Sequence, residues 1–204
     1  MNQLSATLIA HHGALKSCSQ CPDMIGPVVT GQPVISPVFL IGQAPGVKEG
    51  HFGKPFAWTA GKTMFQWFAK IGIDENRFRK KVYMAAVCRC FPGKNPNGGD
   101  RVPSREEIQR CAPWMDRELR LLNPALVIPV GKLAINRLMP VKKLAEVVGR
   151  THRAKITGFE TDVIPLPHPS GASTWHRTEP GITLLQRALQ LIEMHPAWKS
   201  VCAE

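Results

Sequence analysis

No apolar run in this chain approaches the roughly 18 residues that a bilayer crossing needs, so a membrane-spanning helix is excluded. The opening stretch MNQLSATLIAHHGALKSC has neither a basic start nor a long apolar segment ahead of a small-residue cleavage site. No secretory signal is read from it, and a cytoplasmic protein is expected. Internal repeats and low-complexity tracts are missing too, and 204 residues suit one compact domain, 1–204, without a second. Acidic residues are scarce: 15 Asp and Glu stand against 26 Lys and Arg, a net charge of +11. That balance points to a polyanionic partner such as nucleic acid, with a generally basic soluble surface as the alternative. Six cysteines in a reducing compartment read as metal ligands or buried thiols before disulfides.

What is there alternates between two periodicities. Four short apolar runs read as strands: PVFLIG (37–42), VYMAAV (82–87), ALVIPV (125–130) and DVIPLP (162–167). Between them AGKTMFQWFAKIG puts Met64, Phe65, Phe68 and Ile71 on one helical face, with Gly72 as the stop. SREEIQRCAPWMDRELRLL opens with a capping box from Ser104 to Glu107, and Pro113 predicts a kink or a second helix start. A last amphipathic stretch spans 179–194. Buried, non-alternating strands separated by helices predict an α/β fold, a three-layer α/β/α sandwich around a central four-stranded parallel sheet. Ligands on such sheets bind beyond the carboxyl ends of the strands, here GQAPG, CRC, GK and HPSG.

Those ends carry the unusual residues. Cys18 and Cys21 form a CxxC before the first strand, Cys90 ends the second and Cys111 sits in the following helix. Four such thiols could hold zinc or an iron–sulfur cluster, or some could be small buried hydrophobes; Cys88 and Cys202 would be spare. AGKT (60–63) resembles the end of a phosphate loop but lacks the required glycine, since Phe56 stands there; Lys62 and Thr63 read as an exposed helix start. His168 follows the fourth strand between two prolines, at the same edge as Gln43, where a structural and a functional role weigh equally.

Taken in order, the CxxC, GQAPG, GKPF, VCRC, IQRCAPW and HPSG motifs resemble the uracil-DNA glycosylase superfamily, most closely its family 4, the iron–sulfur branch. The likeness covers about residues 15–190. It implies a DNA-binding, nucleoid-associated enzyme of base excision repair that flips uracil or another deaminated base out of the helix and hydrolyses its N-glycosidic bond, working as a monomer. It also implies a structural 4Fe-4S cluster on Cys18, Cys21, Cys90 and Cys111. By the same resemblance Gln43 and His168 are catalytic, Phe56 is the stacking ring, and Gly42, Ala44, Glu49 and Ala86 surround the base. Lys132, Ser170 and Arg177 are assigned to DNA, with Arg89, Lys94 and Arg101 as further candidates for phosphate contact.

Three departures modify this expectation. Gln43 stands where the family's GEAPG-like turn has an acid, so it can orient water through its amide oxygen but carries no charge. Ala86 stands where an asparagine of TNVVKC would select uracil, which predicts a broadened base range reaching hypoxanthine and xanthine, or recognition by backbone groups from Gly42 to Ala44. The loop NPNGGDRVPS lacks the histidine with which a sister branch bonds covalently to DNA, so no covalent trap of that kind is expected. The rival reading is a catalytically silent DNA-damage-binding protein that keeps fold and cluster.

Overall fold

A computed structural model describes every residue except Met1, Asn97 and Glu204. In chain order the elements are α1 (Gln3–Lys16), β1 (Val38–Gly42), α2 (Val47–Phe52), α3 (Thr59–Ala69), α4 (Glu75–Lys81) and β2 (Tyr83–Ala86). They continue with α5 (Arg105–Leu122), β3 (Leu126–Pro129), α6 (Lys132–Asn136), β4 (His152–Ile156), β5 (Phe159–Val163), α7 (Gly181–Met194) and α8 (Pro196–Cys202). No helix among the described residues is long and apolar enough to cross a membrane.

The strands form one sheet in the order β2-β1-β3-β5-β4, with β1, β2, β3 and β5 parallel. Alternation along β1 divides the core. Val38 and Leu40 pack with Met64, Phe68, Ala188 and Trp198 from α3, α7 and α8. Phe39 and Ile41 face the other way, against Leu8 of α1 and Met115 and Leu119 of α5. Both faces are covered, as the continuous apolar strands require, and the three-layer expectation is met.

The strand count is corrected from four to five. β4 runs antiparallel to β5 at the sheet edge and was not expected, because only Ile156 on it is buried and the rest reads as a polar loop. Its turn does carry a signature, since Thr157 (φ 47°) and Gly158 (φ 102°) supply the paired left-handed residues that a two-residue hairpin prefers. The fourth strand accordingly ends at Val163, and the chain continues extended to Leu166, which bridges Val130.

α5 passes through Pro113 as a single helix. Both Pro113 and Gln109, whose carbonyl loses its donor, are exposed, so water can satisfy that group. The polar loop after β2 closes on itself through Arg101 N–H to Gly93 O at 2.9 Å and a Lys94–Asp100 ion pair at 2.8 Å. Asn97 within it lies outside the described residues.

Candidate functional site

The carboxyl ends of β1, β2 and β5 surround a narrow recess of about 30 Å³. Its walls bring together Gly42, Gln43 and Ala44 from the turn after β1, Glu49 from α2, Phe56, Ala86 at the end of β2, and His168 beyond β5. The two catalytic and five base-contacting positions assigned from the sequence therefore share one site. Val29, Pro45, Pro55, Met84 and Ala85 complete the lining and were not foreseen. The recess opens into a cleft of about 640 Å³ that also shows Gln43 and His168 to solvent, along with Lys94, Arg101, Ser170 and Ala172.

His168 is aimed by its own loop. The Ser170 backbone N–H donates to His168 Nδ1 at 3.3 Å, and the Ser170 hydroxyl lies 2.9 Å from the same atom. A backbone N–H can only donate, so Nδ1 accepts and the neutral ring carries its proton on Nε2. Burial, with a smaller contribution from nearby His176, holds the ring's pKa below its ordinary value. The group is thus a neutral donor around pH 7. Gly131, at φ 86°, lets the imidazole lie close: a Cβ there would stand 3.0 Å from its Cδ2.

Phe56 is held under strain. Its φ of 52° is rare for a bulky residue and costs about 1–3 kcal/mol. Three contacts maintain it. Arg79 donates to the carbonyls of Pro55 at 2.8 Å and Phe56 at 3.0 Å. Gly61 passes so near that a Cβ would overlap the Phe56 carbonyl oxygen. The ring itself packs on Gly42, where a Cβ would meet it at 3.0 Å. The Phe56 ring is therefore fixed at the recess wall by its surroundings. Arg79 gave no sequence signal, because it sits among the ordinary surface charges of RFRKK.

Glu49 braces the two motif segments. One carboxylate oxygen accepts from Gly46 N–H at 2.7 Å and the other from Ala57 N–H at 3.2 Å. Burial raises its pKa, and these backbone donors partly offset the rise.

Behind the recess, Cys18, Cys21, Cys90 and Cys111 line a second cavity of about 380 Å³, between the α1 end, the segment after β2 and α5. The thiols ring this space. Among the described residues no three His, Cys, Asp or Glu side chains converge closely enough to grip a metal ion. A lone zinc would draw thiolates to about 2.3 Å, whereas four cysteines spread around a cavity of this size fit a polynuclear cluster. Burial pushes the Cys90 thiol up to about 11. Cys111 moves the other way, to about 7, because the Cys88 thiol donates to it and the Arg89 guanidinium and backbone N–H lie beside it. Cys88 is fully buried against Cys111 and outside the cavity lining; Cys202 sits at the far end of α8.

The candidate phosphate contacts divide. Arg89 is withdrawn from that role: it is 2% exposed, its guanidinium pairs with the buried Glu118 carboxylate, and its Nε donates to the Ala86 carbonyl at 2.9 Å. The sequence could not reveal this, because Glu118 is one of several charges on α5. Arg101 is held by both oxygens of Glu107. Lys132 is exposed, its Nζ 3.1 Å from the Lys142 carbonyl, and Arg177 is exposed beside His176. Ser170 spends its hydroxyl on His168. Trp175 is half-buried against the core.

Residues 29–192 match the family described as the uracil DNA glycosylase superfamily. The chain is 28% identical over 167 residues to the type-4 uracil-DNA glycosylase of Pyrobaculum aerophilum, covering 78% of this chain and 81% of that one. It is 28% identical over 159 residues to the type-4 uracil-DNA glycosylase of Thermotoga maritima, covering 76% and 78%. With that of Saccharolobus solfataricus it shares 30% identity over 141 residues, 66% of this chain and 61% of the other.

Proposed function

Because this chain belongs to the uracil DNA glycosylase superfamily, we propose that it excises uracil from DNA by hydrolysing the N-glycosidic bond. The observation that carries this reading is the His168 tautomer: Nδ1 accepts from Ser170, so Nε2–H is the donor left at the base recess.

The chemistry follows from that donor. A nucleotide leaves the stack and its base enters the recess against the Phe56 ring. As the bond to C1′ breaks, its electron pair passes to the base and the sugar gains oxocarbenium character. His168 Nε2–H stabilises the anion growing on the base, and Gln43 orients water through its amide oxygen toward the electron-poor carbon. Departure of the base precedes most of the bonding to water, so a neutral amide suffices where a stronger base is unnecessary. Glu49 keeps the two walls in register.

With Ala86 in place of a selective amide, the backbone from Gly42 to Ala44 reads the base. Acceptance therefore extends beyond uracil, but the narrow recess ranks this pyrimidine ahead of the larger hypoxanthine and xanthine. The experiment is a panel of labelled oligonucleotides carrying one uracil, hypoxanthine or xanthine, followed by alkali. Strand breaks fastest at uracil are expected. Absence of cleavage at every base would leave a DNA-damage binder.

The pH dependence has a definite sign. The lowered pKa of His168 keeps its donor neutral above the ordinary histidine value of 6.5. Single-turnover excision should therefore stay level as pH rises from about 6.5 to 8.5. A decline over that interval would mean that the imidazolium is the working form.

Cys18, Cys21, Cys90 and Cys111 would hold a 4Fe-4S cluster, whose thiolate bonds would tie the amino-terminal segment and α5 to the sheet edge, a structural role. The purified protein should be brown, with broad violet absorbance and iron and sulfide in equal amounts. A colourless protein loaded with zinc would overturn the assignment.

A further inference from the structure

We propose that Trp58, backed by Phe52 and flanked by Lys48 and Lys62, is a stacking platform for an unpaired base of the DNA strand next to the extruded nucleotide. This extends the glycosylase reading, on which the adjacent nucleotide's position depends. Of the five tryptophans only Trp58 is exposed. It stands 45% exposed, as does Phe52. Their rings are stacked with centroids 5.9 Å apart and planes 21° from parallel. The Lys48 and Lys62 ammonium groups lie 5.8 and 6.0 Å from the Trp58 ring centre. Trp58 also lines the open cleft shared by Gln43, His168 and Ser170.

The fold gains little from this arrangement, since neither ring joins the buried core. A base needs what is displayed there, a rigid aromatic face with cations within reach of its phosphates. Stacking of this kind tolerates any base, and such platforms are combined with basic grooves in proteins that hold single strands. The lysines now make cation–π contacts that are weak at an exposed site. A base arriving on the ring would release them to adjoining phosphates, where their charge is matched more fully. The same lysines argue against a protein partner, because lysine is depleted from protein interfaces in which tryptophan is favoured. Lys62 belongs to the incomplete phosphate-loop motif AGKT; at the start of α3 it gains a phosphate-facing role of another kind.

The test is binding of a uracil-free single strand, with its duplex as comparison, by wild type, W58A and W58F. W58A should weaken single-strand affinity about tenfold, the effect of losing one base–aromatic stack. Duplex affinity should fall less, and W58F should retain most of the single-strand affinity. On a uracil-containing single strand, the loss in W58A should appear in the half-saturating concentration and not in the rate at saturation. Unchanged single-strand affinity in W58A would overturn the platform, as would a loss confined to the rate at saturation. Unchanged DNA affinity with altered sedimentation would identify a protein contact and also overturn it. Because the binding arm uses uracil-free DNA, a wild-type protein that cleaves nothing would refute the glycosylase reading while leaving this result readable.

Discussion

His168→Ala should slow single-turnover excision of uracil by about 10²–10³, the equivalent of removing one preorganised donor worth about 3–4 kcal/mol. Affinity for the same oligonucleotide should change by no more than about twofold. The separation follows from when the donor works. Before the bond breaks, the oxygens of the base are neutral and Nε2–H offers them little more than water does. As the bond lengthens they become anionic, and only then does a fixed N–H in a confined recess become worth its full amount. The ring sits at the mouth of the recess, outside both core clusters, so the loss should leave folding largely intact. Single-turnover kinetics beside equilibrium binding check this. Equal losses in rate and affinity would reduce His168 to a docking residue, and His168→Gln, which retains an N–H donor, should recover part of the rate if donation is its task.

The sequence made this site legible because each wall comes from a motif whose spacing is local. GQAPG is a strand end and its turn, HPSG a strand extension and its turn, and GKPF a short connection; parallel strands bring such ends to one edge. The expectation of an α/β/α sandwich follows from the uninterrupted apolar strands, which can be buried only between two helical layers, while its uracil-DNA glycosylase-like character comes from the resemblance of the motifs. What escaped was non-local or polar. Nothing in RFRKK marks Arg79 as the residue that holds two carbonyls beneath Phe56. β4 hides because an edge strand needs few apolar side chains. α1 was not anticipated, for its buried residues include His11 and His12, which read as polar until Tyr83 and Glu118 are placed beside them. Arg89 was the most misleading, because a basic residue between two cysteines of a strongly basic chain looks like a phosphate contact. Only the fold brings Glu118 to it.

Arg89→Met should destabilise the protein by about 3–5 kcal/mol, the cost of leaving a buried carboxylate without its cation. Glu118 is 0% exposed and Arg89 pairs with it directly. Burial alone would push the Glu118 carboxyl up, but the Arg89 guanidinium beside it, with His11 Nε2 3.4 Å away, holds it below the ordinary range. Met fills most of the arginine's volume, so the predicted loss comes from charge and not from a cavity. The double variant Arg89→Met/Glu118→Leu removes both charges and should regain most of the stability in denaturant titrations, since paired replacement of a buried ion pair by apolar groups is close to neutral. Failure of the double variant to recover would mean that the guanidinium matters for something besides Glu118. There are two specific alternatives. Arg89 Nε holds the Ala86 carbonyl at the base recess, and its backbone and guanidinium stand beside Cys111 at the cysteine-lined cavity. Excision rate reports on the first and visible absorbance on the second. One buried arginine thus touches both halves of the proposed machinery, and recovery of stability without recovery of rate would separate its contribution to the recess from its contribution to the fold.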